Sequence, residues 1–308
     1  MNSSSVVSVR LMVYNHESYL KQAIDGILLQ KVNFPVEIVI GDDFSSDESL
    51  AIATAYQNQG NFHFKILDRP RGGSYQIARQ KRGRIYNFIN ILENCSGKYI
   101  ALLDGDDYWC DPSKLQRQVD FLERNENFQL CGHDVEVVHE GIEKVRDVFY
   151  NVPAEGDFDF DFEDEFKNHF VATASVLFRN NTESSALGNF LDGLHVGDIP
   201  LLLFLLANGK GHYFSAKMAI KRRNKGSITS NPEHNKNKLQ GSYEICKRVL
   251  KIAPKEHQTM IQIRLAEYER ALAKLEAKHL NFAQSLVLIY HAYKHNPLWF
   301  KMNVKKSS

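Results

Sequence analysis

The sequence has little of what marks a specialised scaffold. Its 308 residues hold four cysteines, Cys95, Cys110, Cys131 and Cys246, and no two stand close enough for a C-x-x-C pair. A zinc ribbon or a thioredoxin-like motif is therefore not indicated, and free thiols in a reducing compartment are expected. Eighteen glycines and eight prolines are too few for a collagen-like or low-complexity chain. Neither sign of charge is in excess. Lys+Arg 38 against Asp+Glu 37 leaves a net charge of +1, which removes the electrostatic case for a dedicated nucleic-acid binder. The most apolar run, residues 199–207, is interrupted by Pro200 and is far shorter than the roughly 18 residues a membrane span requires. Residues 1–8 show no basic region followed by an apolar core, so no signal peptide is expected and the sequence reads as cytoplasmic. G-x-G-x-x-G after the first strand, G-x-x-x-x-G-K-[ST] and H-E-x-x-H are all missing. Those absences disfavour a dinucleotide dehydrogenase, a P-loop NTPase and a zincin.

What is present is alternation. Short β-rich runs at 6–13, 36–40, 62–67 and 98–103 are separated by stretches with helical spacing at 18–30, 47–58 and 77–94. Ser46 or Asp47 is the expected N-cap of the second helix. Asp111-Pro112 is read as the start of a helix running to about 125, with proline in its first turn. Such alternation predicts an α/β fold, a Rossmann-like parallel sheet with helices on both faces. From 128 to 225 the pattern is mixed: strands at 129–138 and 170–179, a buried helix at 198–207, and two short strands within 211–223. Amphipathic spacing returns at 235–297 as two or three helices. The expected organisation is a domain over 1–230 and a C-terminal α-helical appendage over 231–308, divided within the polar stretch 227–238.

In a parallel α/β sheet, ligands collect beyond the carboxyl ends of the strands. Tyr14-Asn15-His16 follows the first strand, Asp42-Asp43 the second, and Asp104-Gly105-Asp106-Asp107 the run 98–103. If these strands are neighbours, several carboxylates share one edge. They repel one another unless a cation intervenes, and a hard cation such as Mg²⁺ or Mn²⁺ suits oxygen ligands.

The stretches VSVRLMVYNHESYLKQAI, VEIVIGDDFSSDES, GKYIALLDGDDYWCDPSKLQRQ, HVGDIPLLLFLLANGKGHYF and AIKRRNKGSIT, taken in order, resemble the family-2 type of inverting GT-A glycosyltransferases. The resemblance covers roughly residues 6–230. It implies a GT-A fold and transfer of a hexosyl or N-acetylhexosaminyl group. The donor would be a nucleotide-sugar, with a UDP-sugar favoured, and the acceptor a carbohydrate or lipid-linked hydroxyl, in the synthesis of bacterial surface polysaccharide or glycoconjugate. It further implies that Asp43 binds the nucleotide base and that Asp104 and Asp106 form the D-x-D, with Asp106 the direct metal ligand for Mn²⁺ or Mg²⁺. Arg84 is placed near the nucleotide, and Asp198 is placed as the catalytic base. The family often has Tyr-Arg-x-His before the late glycine. This chain has Lys221-Arg222-Arg223-Asn224, so Arg222 or Arg223 is the residue offered for phosphate pairing.

Plainer readings stand beside these. Asp104–Asp107 can be a solvated acidic turn, Asp43 a strand terminator, Asp198 a helix cap, and Trp109 a core aromatic. Tyr14 and Asn15 can be turn residues or can line the base pocket. His133, His169 and His195 read as local hydrogen-bonders, and the alternating run 157–162 as an edge or loop with one apolar face. Leu298-Trp299-Phe300 followed by Lys301, Lys305 and Lys306 points to peripheral membrane contact through the C-terminus. The rival functions are a catalytically silent binding or scaffold protein on the same fold, and a metal-dependent nucleotidyltransferase.

Overall fold

The computed structural model describes residues 6–139, 152–181, 184–223 and 235–298. Nine strands form one sheet: β1 (Val7–Val13), β2 (Val36–Asp42), β3 (Phe62–Ile66), β4 (Tyr99–Asp104), β5 (Tyr108–Trp109), β6 (Phe128–His139), β7 (Phe158–Phe160), β8 (Leu177–Arg179) and β9 (Lys210–Arg223). Their order is β3-β2-β1-β4-β8-β6-β9-β5, with β7 also on β9. The first four are parallel. Beyond them the sheet is mixed, because β8 runs antiparallel to both β4 and β6. The all-parallel expectation therefore holds only for the half whose strand ends carry the Tyr14–His16, Asp42-Asp43 and Asp104 clusters.

The pleat of β1 sorts its residues between the two faces. Val7, Val9, Leu11 and Val13 join one core with Leu20, Ala23, Ile24 and Ile27 of helix Leu20–Leu28 and with Leu115, Val119 and Leu122 of helix Lys114–Arg124. Each fully buried aliphatic side chain of this kind contributes roughly 1.5–3 kcal/mol. The opposite face of β1 carries Arg10 toward Phe88 of helix Ile85–Glu93, so helices cover both faces.

Several local expectations are corrected. The single helix expected over 77–94 is two, Ser74–Arg82 and Ile85–Glu93. They are separated by Gly83, whose positive φ of 77°, with an extended ψ of −175°, is a conformation open to glycine and costly for other residues, and turns the chain out of the helix. The second helix is only Ser49–Thr54. Its N-cap position is Glu48 rather than Ser46 or Asp47; Asp47, one residue earlier, accepts Ser49 N–H and Glu17 N–H, each at 3.0 Å. Asp111 Oδ1 accepts Ser113 N–H at 2.8 Å, so Pro112 lies in a turn and the helix begins at Lys114. Of 170–179 only Leu177–Arg179 is strand, after a 3-10 turn at Thr173–Ser175. The two short strands expected within 211–223 are one strand, β9. In the run 157–162, Phe160 is buried in β7 and Asp161 caps helix Phe162–Asn168.

The chain divides into two compact units, Met1–Lys225 and Gly226–Ser308. The second contains helices Asn235–Ile252, Gln258–Lys278 and Phe282–His295. Asn224, the greater part of 227–238, and Trp299, Phe300, Lys301, Lys305 and Lys306 lie outside the described residues.

Candidate active site

The parallel neighbours β2, β1 and β4 end side by side, with Val13 opposite Asp42 and Met12 opposite Asp104. The three polar clusters therefore do meet at one edge. The loops after β1 and β2 are laced together. Asn15 takes a left-handed φ of 54°, which asparagine tolerates better than most residues. Its N–H donates to Ser45 Oγ at 2.9 Å and its Oδ1 accepts Ser46 N–H at 2.8 Å. His16 N–H donates to Ser49 Oγ at 2.7 Å, and Glu48 N–H donates to Glu17 Oε2 at 3.0 Å. Asn15 is thus committed to holding the loops, whereas Tyr14 stands 56% exposed at the rim.

The Asp43 side chain is only 9% exposed and already partnered. Its carboxylate accepts the Tyr75 hydroxyl at 2.9 Å, and from Arg79 it accepts Nε at 2.8 Å and Nη2 at 2.7 Å. Tyr75 and Arg79 stand four residues apart on helix Ser74–Arg82, hence on one face. Burial, reinforced by the Asp43 charge, raises the Tyr75 phenol above its ordinary range, so it stays protonated and donates. Arg69 lies 3.8 Å from the Tyr75 ring centroid and donates to Asp42 O at 2.8 Å and to Asn87 Oδ1 at 2.7 Å. The arginine beside Asp43 is therefore Arg79, not Arg84. Arg84 lies exposed at the start of the following helix and donates to His195 O at 3.2 Å.

The D-x-D turn rests on a cation absent from the expected set. Arg10 is fully buried in β1 and donates from Nη2 to Asp104 Oδ1 at 2.7 Å. Its guanidinium lies 4.5 Å from the Phe88 ring centroid, and its Nε and Nη1 have no partner among the described residues. Burial opposes the charge on Asp104, but Arg10, with Lys221 and His16, overrides it and holds this carboxyl below its ordinary pKa. Asp107 is buried. It accepts Arg222 N–H at 2.8 Å and faces Lys221 Nζ at 3.7 Å, yet burial pushes it up to about 7. Arg222 donates from Nη1 to Asp106 O at 2.6 Å, also bonds Gln22 Oε1, and covers the Tyr108 ring at 4.6 Å.

These contacts revise the electrostatic argument for a metal. Arg10, Lys221 and Arg222 already compensate much of the acidic turn, so repulsion alone does not demand a divalent ion. What remains is Asp106. No side-chain hydrogen bond or ion pair reaches its carboxylate among the described residues, and burial together with the Asp104 charge raises its pKa. His16 adds an orphan: its Nδ1 is buried without a partner, and a Cβ on Gly105 would come within 2.7 Å of it. Mg²⁺ and Mn²⁺ usually take one or two protein carboxylates and complete their shells with water and phosphate oxygens. Asp106 with the outer oxygen of Asp104, whose side chain is 24% exposed, fits that donor set. A cage of three or more His, Cys, Asp or Glu ligands is absent among the described residues.

Asp198 is the first residue of helix Asp198–Leu206, with Gly197 as its N-cap. It is therefore not the cap itself. Its Oδ1 accepts Ile199 N–H at 2.9 Å and its Oδ2 accepts the Thr173 hydroxyl at 3.3 Å. Burial of Leu201, Leu202, Leu203, Leu205 and Leu206 holds the helix in place. Any Cβ on Gly197 would sit 2.8 Å from the Phe88 ring, the same ring that lies under Arg10. Phe88 therefore lies against Arg10 on β1 and against Gly197, the residue before Asp198. Trp109 is core: buried, with Nε1 donating to Ala174 O at 2.9 Å. His133 donates from Nδ1 to Asp134 O at 2.7 Å, a local bond.

Arg10 yields a direct test. Replacing it with methionine leaves Asp104 without its cation, so denaturant unfolding should show a loss of about 3–5 kcal/mol. Asp104→Asn in the same chain should recover part of it. An Arg10→Met protein as stable as the parent would mean that the pair carries no weight.

A sequence profile of Glycosyl transferase family 2 matches residues 8–181, more than half of the chain. The chain belongs to glycosyl transferase family 2. Among curated relatives of this family-2 chain, an uncharacterized Mycobacterium tuberculosis protein is 35% identical over 176 residues, 57% of this chain and 46% of that one. EpsE of Bacillus subtilis, provisionally named a glycosyltransferase, is 33% identical over 158 residues, 51% of this chain and 52% of its own. The chain spans about half the length of these relatives. Among solved structures, Staphylococcus aureus TarS in complex with UDP-GlcNAc superposes with a TM-score of 0.57 at 16% identity, covering 94% of this chain and 91% of that one. The mannosyltransferase PcManGT from Pyrobaculum calidifontis, in complex with GDP-Man and Mn²⁺, gives 0.54 at 11% identity, covering 99% and 80%. The shared fold is the GT-A fold.

Proposed function

We propose that this family-2 chain is an inverting glycosyltransferase. It moves a hexosyl or N-acetylhexosaminyl group from a nucleoside-diphosphate donor, a UDP-sugar first, to a hydroxyl of a carbohydrate or lipid-linked acceptor. The setting is bacterial surface polysaccharide or glycoconjugate synthesis at the inner face of the membrane, with peripheral contact to it. The catalytic domain is taken as 1–230 and the helical region as 231–308. The observation that carries the reading is the Asp106 carboxylate, without a side-chain partner among the described residues, just past the end of β4; Asp198, fixed by Ile199 N–H and the Thr173 hydroxyl at the start of a buried helix, supports it. Complexes of two proteins of the same fold with UDP-GlcNAc and with GDP-Man support the donor class.

In this reading Asp106 and Asp104 would hold Mg²⁺ or Mn²⁺, and the bound ion would supply positive charge to offset the charge of the departing diphosphate. Arg222, lying along the same turn, pairs with a phosphate oxygen. The Asp43–Arg79 pair, rather than Asp43 alone, reads the base, with Tyr14 at the rim. Asp198 takes the proton of the acceptor hydroxyl as its oxygen bonds the anomeric carbon. The bond from that carbon to phosphate breaks on the opposite side, so configuration inverts. Asp198 is suited to this because the first turn of a helix favours a negative charge.

A thermal-shift panel of UDP-, GDP-, TDP- and CMP-sugars with and without Mn²⁺ tests the reading. A ligand at 100 times its dissociation constant adds about 2.7 kcal/mol of stability. The expected result is a metal-dependent shift with a UDP-sugar; no shift with any donor overturns it.

A further inference from the structure

The helical unit, taken by itself, leaves one surface unexplained. Helix Phe282–His295 packs on helix Gln258–Lys278 through a narrow seam. Ser285, Leu288 and Ala292 are buried, Leu288 clusters with Leu272 and Ala273, and Ser285 Oγ donates to Ala273 O at 3.0 Å. The other sides of this helix are also apolar, yet open. Phe282 is 59% and Leu286 67% exposed, and Ile289, Tyr290 and Tyr293 are exposed with them. Their spacing of 4, 3, 1 and 3 residues sets them along one broad stripe. Scattered exposed apolar residues are ordinary, but a contiguous stripe marks a contact surface.

Charge decides what the stripe meets. Residues 277–308 contain five of the 38 basic residues, Lys278, Lys294, Lys301, Lys305 and Lys306, and none of the 37 acidic ones. Lys294 Nζ lies 4.8 Å from the centroid of the exposed Tyr290 ring, so a cation borders the stripe itself. A second copy would bring another Lys294 toward the stripe, and residues 277–308 offer no carboxylate to neutralise the pair. A surface of anionic lipids complements both features. Apolar side chains enter the acyl boundary, tyrosines lie at headgroup depth, and lysines meet the anionic headgroups. We propose that helix Phe282–His295 docks in the plane of an anionic bilayer through Phe282, Leu286, Ile289, Tyr290 and Tyr293. No helix among the described residues is long and apolar enough to cross one, so the contact is a surface one. The inference does not rest on the donor site.

The test is co-sedimentation of the full chain with phosphatidylcholine vesicles, with and without phosphatidylglycerol. Binding is expected only with phosphatidylglycerol and should weaken as salt rises. Leu286→Glu should lower the partition by roughly 10-fold or more, the loss of one buried leucine and the addition of one repelled charge. Lys294→Glu should lower it too. Both positions are exposed, so melting temperature and UDP-sugar binding should match the parent, separating failure here from failure of the donor assignment. Three results overturn the proposal. One is no binding to phosphatidylglycerol vesicles at low salt. Another is undiminished binding by Leu286→Glu. The third is a parent that elutes as a dimer, Leu286→Glu that elutes as a monomer, and neither binding lipid, which assigns the stripe to a second copy.

Discussion

Asp198→Asn is expected to leave the protein folded and the donor bound, while transfer to an acceptor falls by roughly 10²- to 10⁴-fold. The structure makes this substitution informative. Asp198 is not the cap of its helix; Gly197 is. Its Oδ1 bond from Ile199 N–H can be kept by an asparagine oxygen, and the Thr173 hydroxyl can turn to accept from the new amide. The buried leucines that fix the helix are untouched. What the substitution removes is the capacity to take a proton. Donor affinity and transfer rate should be measured on the same preparation. Transfer at the parent rate would assign Asp198 a purely local role and send the search for the base elsewhere.

The second large effect is expected at Asp106. Asp106→Asn should cut turnover by roughly 10²-fold or more, the scale of losing a principal electrostatic stabiliser in an active site. It should also abolish the Mn²⁺-dependent part of the thermal shift. Stability should not suffer. The carboxylate has no side-chain partner to lose, and its charge is opposed by burial and by Asp104. That contrast with Arg10→Met, where the fold itself should weaken, separates the turn's support from its working group. Full activity of the parent in excess chelator, or unchanged turnover in Asp106→Asn, would rule out the metal assignment.

Much of this was legible in the residues, for physical reasons that can be named. Short β-rich runs separated by helical spacing announced β1 to β4, and the rule that sites form past strand carboxyl ends placed Tyr14–His16, Asp42-Asp43 and Asp104–Asp107 together. Other parts were hidden. Arg10 sits in VSVRLMV, where an arginine looks like an exposed position; its partner lies 94 residues away and no local spacing betrays it. Arg84 enters only through the family resemblance, and the partner of Asp43 is Arg79, for which the four-residue step from Tyr75 to Arg79 on one helix is a usable signal in the sequence. The metal was inferred from carboxylate repulsion, and the cations that relieve much of it come from β1 and β9, far apart in the chain. The pieces that failed as strands, 170–176 and the expected break within 211–223, depend on pairing choices in the mixed half of the sheet, where alternation carries no information about direction.

The Arg10–Asp104 pair has a consequence for how the chain folds. β1 is central, but it can meet β2 early, since only a short helix separates them, whereas β4 arrives after three further helices and a strand. A partly formed sheet of β1, β2 and β3 that buried the face carrying Arg10 would hold a guanidinium away from water with no counter-charge, an arrangement that costs several kcal/mol. That penalty disfavours a lingering half-sheet. Docking of β4 is favoured as the step that completes the burial, so the long-range closure and the assembly of the acidic turn become a single cooperative event.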